Sequence, residues 1–344
     1  MNIFQDEIVK LVHGAGGSAM DHIVNSLILS SFSMRRALNG VSLDALDDGA
    51  SIITDGEEIV ASIDGHIVDP IFFPGGDIGR LAISGAVNDV SAMGAEPVAI
   101  LDSIIVEEGF SLSSLRSILE SMDKTSVEAG VSIINGDFKV MPRGHLKGIT
   151  ISTCCLGLLH GRKPILDSGA SPGDKIIVTG SIGDHGIALM STREGIAFDT
   201  ELKSDVAPIW STVKAALNVG GIQAMKDPTR GGLASALNEI AQKSSVSIWI
   251  DEDKVLVKDE VRAASEMLGL DPYEVTCEGR MVICVSESNA QSVLEAVRKT
   301  RYGAEAEIIG EVKKEYPGTV LIRTVIGGTR ILRKPIGEPI PRVC

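Results

Sequence analysis

Six acids in this sequence stand beside glycines or an asparagine in turn-like settings. They are Asp48 in Asp47-Asp48-Gly49, Asp64 before Gly65, Asp77 in PGGDIG (74–79), Asp89 after Asn88, Asp137 after Gly136, and Asp227 opening DPTRGG (227–232). Each falls where a strand reads as ending or a helix as starting. Carboxylates and free backbone N–H groups on such loops are the parts that hold a magnesium ion and a triphosphate. Asp and Gly also fill ordinary turns and helix caps, so the chemical reading rests on the six together, spread over both halves of the chain. A second reactive feature is the final residue. Cys344 closes the proline-rich stretch KPIGEPIPRVC (334–344), and a free thiol at an exposed chain end is chemically reactive.

Other motifs narrow the options. GAGGSA (14–19) matches G-x-G-x-x-A, but the acid a dinucleotide fold needs about 20 residues on is missing from SSFSMRR. A glycine-rich segment able to fold over a phosphate is the better reading. Neither GxxxxGK[ST] nor HExxH occurs. The remaining cysteines are Cys154, Cys155, Cys277 and Cys284; an odd total without CxxC pairs fits neither a disulfide framework nor a zinc site. Cys154, Cys155 and Cys284 lie in apolar, strand-like runs and read as small buried hydrophobes.

These residues need a scaffold, and its outline is legible. The chain has 344 residues, enough for two cores. Its net charge of −14 repels phosphate backbones and makes nucleic acid a poor partner. The longest uncharged apolar run, Ile149–Leu159, has 11 residues, too short to span a membrane, and the acidic N-terminus is unlike a secretory signal; a soluble, cytoplasmic protein is expected. Strands are expected at SIIT, EIVASI, Val98–Val106, VSIING and Gly148–Leu159, with helices over Ile78–Gly94 and Leu112–Ala129. After LDSGASPGD (166–174) the alternation restarts with KIIVTG, helices around Asp184–Arg193, Val206–Val219, Leu233–Gln242, Lys258–Leu268 and Asn289–Arg301, and strands VSIWI, MVICV and AEIIGEV. Alternating strands and helices imply layered α/β or α+β domains. From Lys334 the prolines at 335, 339 and 341 forbid helix or central strand, so an extended arm is expected. From Pro335 it reaches about 30 Å. Arg330, Arg333, Lys334 and Arg342 outnumber Glu338 there, a charge expected to draw the arm toward an acidic pocket.

Taken together, PGGDIG, NDVSAMGA (88–95), GDFK (136–139), DPTRGG and the terminal PRVC resemble the HypE family of hydrogenase maturation factors. That family sits among ATP-dependent enzymes related to aminoimidazole ribonucleotide synthetase, selenophosphate synthetase and thiamine-monophosphate kinase. The resemblance implies an α/β (α+β layered), two-domain aminoimidazole-ribonucleotide-synthetase-like fold. Its parts are a flexible glycine-rich segment (1–39), an N-terminal ATP-binding and dimerisation domain (40–160), a C-terminal α/β domain (170–333) and a mobile tail (334–344). It also implies an activity: ATP-dependent dehydration of a carbamoyl group on the C-terminal cysteine to a thiocyanate, supplying cyanide for the iron centre of [NiFe] hydrogenase.

Roles follow by matching motifs. The resemblance makes Cys344 the carrier, Glu278 in CEGR the base and Lys139 the cation near the reacting oxygen. It implies ATP and Mg²⁺, with Asp48, Asp64, Asp89, Asp137 and Asp227 as metal ligands. Gly75, Gly76, Asp77, Asn88, Asp89, Asp137, Thr229, Arg230 and Gly231 would bind nucleotide. Expected partners are a second copy of the chain, a HypF-like carbamoyltransferase and a HypC–HypD-like scaffold that accepts cyanide. The alternatives are a superfamily kinase or synthetase for a diffusible small molecule, and a non-enzymatic carrier regulated by nucleotide.

Overall fold

Residues 8–14, 16–193 and 201–337 are described by the computed structural model. The N-terminal segment carries one continuous helical stretch, α1 (Gly17–Ile23) and α2 (Leu29–Ser31) joined through a π-helical turn at Val24–Ile28. Strands β1 (Ala50–Thr54) and β2 (Glu57–His66) follow, then the short pair β3 (Phe72–Phe73) and β4 (Gly76–Asp77). Next come α3 (Ile78–Ala92), β5 (Glu96–Glu107), α4 (Leu112–Ala129), β6 (Ser132–Met141) and β7 (Ile149–Leu158). The first sheet runs β1-β2-β7-β5-β6, antiparallel except for the parallel β5–β6 pair, which leaves β6 at an edge.

Alternation decides which side of this sheet is covered. Along β7, Ile149, Ile151, Thr153, Cys155 and Gly157 are buried while the intervening residues are not, the period-two signature of one packed face. The covering layer is α3, backed by α4. Thirteen of the fifteen α3 residues are buried, so the helix is enclosed all round, which explains its Ala, Gly and Ser content. At Gly79 an added Cβ would meet the Ile118 carbonyl oxygen of α4 at 2.4 Å, so only glycine permits that crossing. The opposite face of the sheet is open: Ile63 is 77% exposed, and all ten residues of β6 are exposed.

Two acidic turns of the sequence are not turns. Asp64-Gly65 lies inside β2, paired with Thr153 and Ser152, and Gly136-Asp137 lies mid-strand in β6, paired with Asp102 and Ser103. Continuous ladders with neighbouring strands override the local turn preference of Asp and Gly.

The second half contains β8 (Lys175–Val178), α5 (Asp184–Arg193), α6 (Trp210–Val219), β9 (Ile222–Lys226), α7 (Gly232–Lys243) and β10 (Ser247–Asp251). It continues with α8 (Asp259–Leu268), β11 (Val282–Val285), α9 (Glu287–Arg298), β12 (Glu307–Lys313), β13 (Thr319–Arg323) and β14 (Thr329–Leu332). Its sheet runs β14-β13-β10-β12-β8-β11-β9, parallel only at β10–β13. The layered α+β class expected from the sequence is therefore the observed one. The expected helix over 206–219 starts only at Trp210, after Pro208, and the hairpin β13–β14 has no counterpart among the strands expected above.

Asp77 caps α3: its Oδ1 accepts the N–H groups of Gly79 (2.7 Å) and Arg80 (3.0 Å). Asp77→Ala is therefore expected to lower stability by about 1 kcal/mol, read as a shifted urea midpoint at constant slope. Nucleotide affinity, measured alongside, should stay unchanged if the cap is this residue's whole role.

Candidate active site

A cavity of about 320 Å³ opens where the two halves meet. From the first half it takes Asp47 and Asp48 before β1, Ser62 and Asp64 on β2, and Gly85 and Asp89 on α3. From the second come Lys226 at the end of β9, Asp227, Thr229 and Arg230 before α7, Glu239 on α7, and Glu278 before β11. Its rim is closed by Gly16, Gly17, Met20 and Asp21 of the N-terminal segment and by Lys334 at the root of the tail.

Local geometry explains how each acid gets there. Ser62, Asp64 and His66 project from the helix-covered side of β2, so they face α3. There Ser62 Oγ donates to Asp89 Oδ2 at 2.6 Å. His66 is buried, with Nε2 3.3 Å from Asp64 Oδ2; an added Cβ at Gly85 would sit 2.8 Å from that same nitrogen. Asp227 accepts from the Thr229 hydroxyl. Gly231 (φ +76) and Gly232 (φ +57) take left-handed conformations at the start of α7, which open to glycine at little cost.

The electrostatics are one-sided. Asp48, Asp64, Asp89, Asp227 and Glu278 share the cavity with Lys226, Arg230 and, at its rim, Lys334. Burial pushes Asp48 and Asp89 well above the usual carboxylate range, and the neighbouring acids push further in the same direction. Asp227 is raised for the same first reason. Asp64 is the exception. Burial acts against its charge, but His66, Arg230 and the Gly65 N–H outweigh it and hold the carboxyl low. Burial and then Asp227, Asp64 and Asp205 hold Glu278 well above its ordinary value, and its Oε1 has no hydrogen-bond partner among the described residues.

Lys226 is a residue the motif reading missed. It is buried and pairs with Asp48, with Asp167 (3.3 Å) and with Glu239 (3.2 Å). Lys334 extends the chain of alternating charge, pairing with Glu239 (2.9 Å) and Asp21 (2.6 Å). The tail root is further fixed by backbone bonds, since Ser18 N–H donates to Pro335 O and Ala19 N–H to Ile336 O, both at 3.1 Å. A Cβ on Gly17 (φ +68) would meet Pro335 O at 2.3 Å. Gly17 thus admits the tail at the cavity rim. The one sequence signal for Lys226 was its place beside DPTRGG at the end of an apolar strand.

The other site candidates lie elsewhere. Gly75 and Gly76 form the β3–β4 turn against Ser204 and Phe73, and Asp77 caps α3. Asn88 points to the second half, donating to Ala207 O (3.0 Å) and Glu278 O (3.2 Å) and accepting from Ile209 N–H (2.9 Å). Gly231 lies beneath Pro335. Asp137 and Lys139 pair with each other on β6. Their register partners Ser103 and Ile105 face the open side of the sheet, opposite the cavity. Cys277 is buried, and burial raises its thiol well above the ordinary value, so it behaves as a small hydrophobe. Cys344 lies outside the described residues.

Among the described residues, no group of three or more His, Cys, Asp or Glu side chains is disposed to hold a metal ion unaided. The carboxylates ring the cavity instead. That suits magnesium, which binds through one or two carboxylates with substrate phosphates and water completing its shell. The orphan charge and the donor oxygens fit such an ion.

The model of the AIR synthase related protein N-terminal domain matches residues 46–159 and that of the C-terminal domain residues 171–322. The chain is 48% identical to a putative hydrogenase expression/formation protein of Methanocaldococcus jannaschii, over 98% of this chain and 99% of that one. It is 43% identical to carbamoyl dehydratase HypE of Rhizobium leguminosarum bv. viciae, over 98% and 95%. The chain belongs to the HypE family of carbamoyl dehydratases. Among solved HypE structures, a HypE–HypF complex superposes with a TM-score of 0.85 at 38% identity, covering 91% of this chain and 99% of that one. HypE in complex with ATP superposes with a TM-score of 0.81 at 38% identity, covering 98% and 100%. No helix among the described residues is long and apolar enough to cross a membrane.

Raised carboxyl pKa values make a pH prediction. Protonated Asp48 and Asp89 contribute stability that is fully present below the unfolded carboxylate range, about pH 4. That contribution is lost as pH climbs through their raised folded values. A divalent cation binds the ionised forms, so the thermal stabilisation given by added Mg²⁺ should grow as pH rises from the unfolded carboxylate range through the raised folded values. Melting curves with EDTA as baseline read it; an equal shift at both ends would remove these acids from the cation's ligands.

Proposed function

We propose that this HypE-family chain dehydrates a carbamoyl group carried on its own Cys344, with Mg-ATP as co-substrate. The net change is Cys344–S–C(O)NH₂ plus ATP to Cys344–S–C≡N, ADP, phosphate and a proton. The observation that carries the reading is the convergence, in one cavity, of acids from both halves, the Glu278 carboxyl, whose Oε1 has no partner among the described residues, and the root of the tail. The tail is held at Lys334–Ile336, and the eight residues from Gly337 to Cys344 span roughly 25 Å if extended. That length brings a terminal thiol within range of a cavity at whose rim it is rooted.

The chemistry divides among named groups. Mg-ATP, when bound, supplies the phosphoryl group that lets the carbamoyl oxygen leave as phosphate instead of hydroxide. Asp48, Asp64, Asp89 and Asp227 would hold the magnesium, with Thr229 and Arg230 beside them toward the phosphates. Glu278, in its ionised form, takes the N–H protons; burial and the neighbouring acids raise its affinity for a proton, which strengthens it as a general base. Glycines 16 and 17 and the tail exclude water from the cavity.

Partners follow from the same reading. A HypF-like carbamoyltransferase loads Cys344, in keeping with the HypE–HypF complex, and a HypC–HypD-like scaffold accepts the cyanide. A second copy covers the open face of the first sheet, where Ile63, Leu101, Ile105 and Cys154 form an uncovered apolar stripe. Asp137 and Lys139 belong to that face and serve the second copy's cavity, because the sheet itself separates them from their own.

Two experiments test this. Cys344→Ala and Glu278→Gln should each bind ATP normally yet form no thiocyanate, read as the missing loss of one water in the intact mass of carbamoylated chain; Cys344→Ala chain that still yields cyanated product would overturn the reading. Co-expression of Asp89→Asn and Asp137→Asn chains, each inactive alone, should restore about a quarter of wild-type activity, since half of randomly paired dimers hold one intact cavity. No recovery would return Asp137 to its own chain's cavity or remove it from the site.

A further inference from the structure

Glu278 sits in a turn without regular structure, and something must aim its carboxyl. The turn is gripped from below by Asp205, whose side chain is 0% exposed. Asp205 Oδ1 accepts the Glu278 N–H at 3.2 Å and Oδ2 the Gly279 N–H at 3.3 Å. One carboxylate therefore binds two successive backbone donors, a charge-assisted pair stronger than neutral bonds. Approach is close enough that a Cβ on Gly279 would lie 2.0 Å from the Asp205 carbonyl oxygen.

Further groups fix the carboxylate and the turn in turn. Arg280 Nε lies 3.5 Å from Asp205 Oδ2 and donates to Ser181 O at 2.8 Å. Arg280 Nη2 lies 3.6 Å from Asp184 Oδ2, which also accepts from Ser181 Oγ (2.7 Å) and Lys258 Nζ (2.5 Å). On the other side of the turn, Glu278 O accepts from Asn88 Nδ2 and from the Ala207 N–H. The backbone of Glu278 is thus held at its N–H by Asp205 and at its carbonyl by Asn88 of α3, across the junction between the two halves.

We infer that Asp205 is a positioning residue that fixes where the Glu278 carboxyl points in the cavity. Asp205 is not among the residues lining the cavity, so it acts through Glu278. The inference rests on the reading of Glu278 as the base. Displacing a reacting group by about 1 Å can cost on the order of 100-fold in rate.

Single-turnover dehydration of carbamoylated full-length chain tests it, with Asp205→Asn, Asp205→Glu and Glu278→Gln run together. Asn keeps one acceptor but turns an N–H₂ toward the second donor. The expected result is a fall in kcat of about 10- to 100-fold with KM for ATP within about twofold of wild type, in chain whose melting shows it folded. Asp205→Glu, which keeps the charge opposite Arg280 but moves the turn, reads the same split where Asp205→Asn does not fold. Wild-type kcat in a folded Asp205 variant, beside inactive Glu278→Gln, would overturn this inference alone. Normal dehydration by Glu278→Gln would instead overturn the base assignment on which it rests. A rise in KM that accounts for the whole loss would make Asp205 a general support of the cavity, and also overturns the inference.

Discussion

Like charge concentrated at low dielectric governs this molecule. Asp48, Asp89, Asp227 and Glu278 line one cavity, Glu278 buried and the three aspartates half-buried, and each is pushed toward its protonated form by loss of solvent and by neighbouring acids. Such a group of carboxyls is unfavourable in an empty protein unless it is partly neutralised. Lys226 provides that for Asp48, and Arg230 for Asp64. What remains is a deficit of positive charge in a cleft whose oxygens are already in place, the electrostatic condition for holding a cation and a polyphosphate together.

The same constraint shapes the junction between the halves. Acids from β2 and α3 can share a cavity with acids from the DPTRGG and CEGR loops only if the two halves are held rigidly. Asn88 supplies a three-bond clamp, and Arg80 adds another by donating to Val206 O at 2.9 Å while pairing with Glu128 at 2.8 Å. These residues lie on α3, which is enclosed on nearly all sides. Cavity and clamp therefore lie on different sides of one helix, Asp89 on the cavity side and Asn88 on the other.

One sheet with two unlike faces gives the molecule its second organising feature. The side under α3 is packed and leads to the cavity; the other carries an apolar stripe and the Asp137–Lys139 pair. A strand with period-two alternation sends neighbouring residues to opposite faces, so Asp137 and Lys139 cannot serve the face that Ser62 and Asp64 serve. The N-terminal helix and the tail root meet at the cavity rim through Gly17 and Lys334, so both ends of the described chain converge on the acids.

Much of this was legible beforehand. Helix α4 ran over Leu112–Ala129 as read, because Ser111 caps it and Gly130 ends it in the left-handed region, local signals with local causes. Helix α5 likewise matched Asp184–Arg193. The motif resemblance named the family, and five of the acids it singled out, counting Glu278, line one cavity. Composition, periodicity and motif chemistry thus determined the fold class, the family and most of the acidic inventory. Tertiary structure alone decided which face each acid occupies, that Asn88 clamps a backbone across the junction, that Asp77 is a cap, and that Lys226, Asp205 and Lys334 belong to the network. The reason is physical: element type follows from spacing of a few residues, whereas convergence depends on strand register and helix packing between segments more than a hundred residues apart.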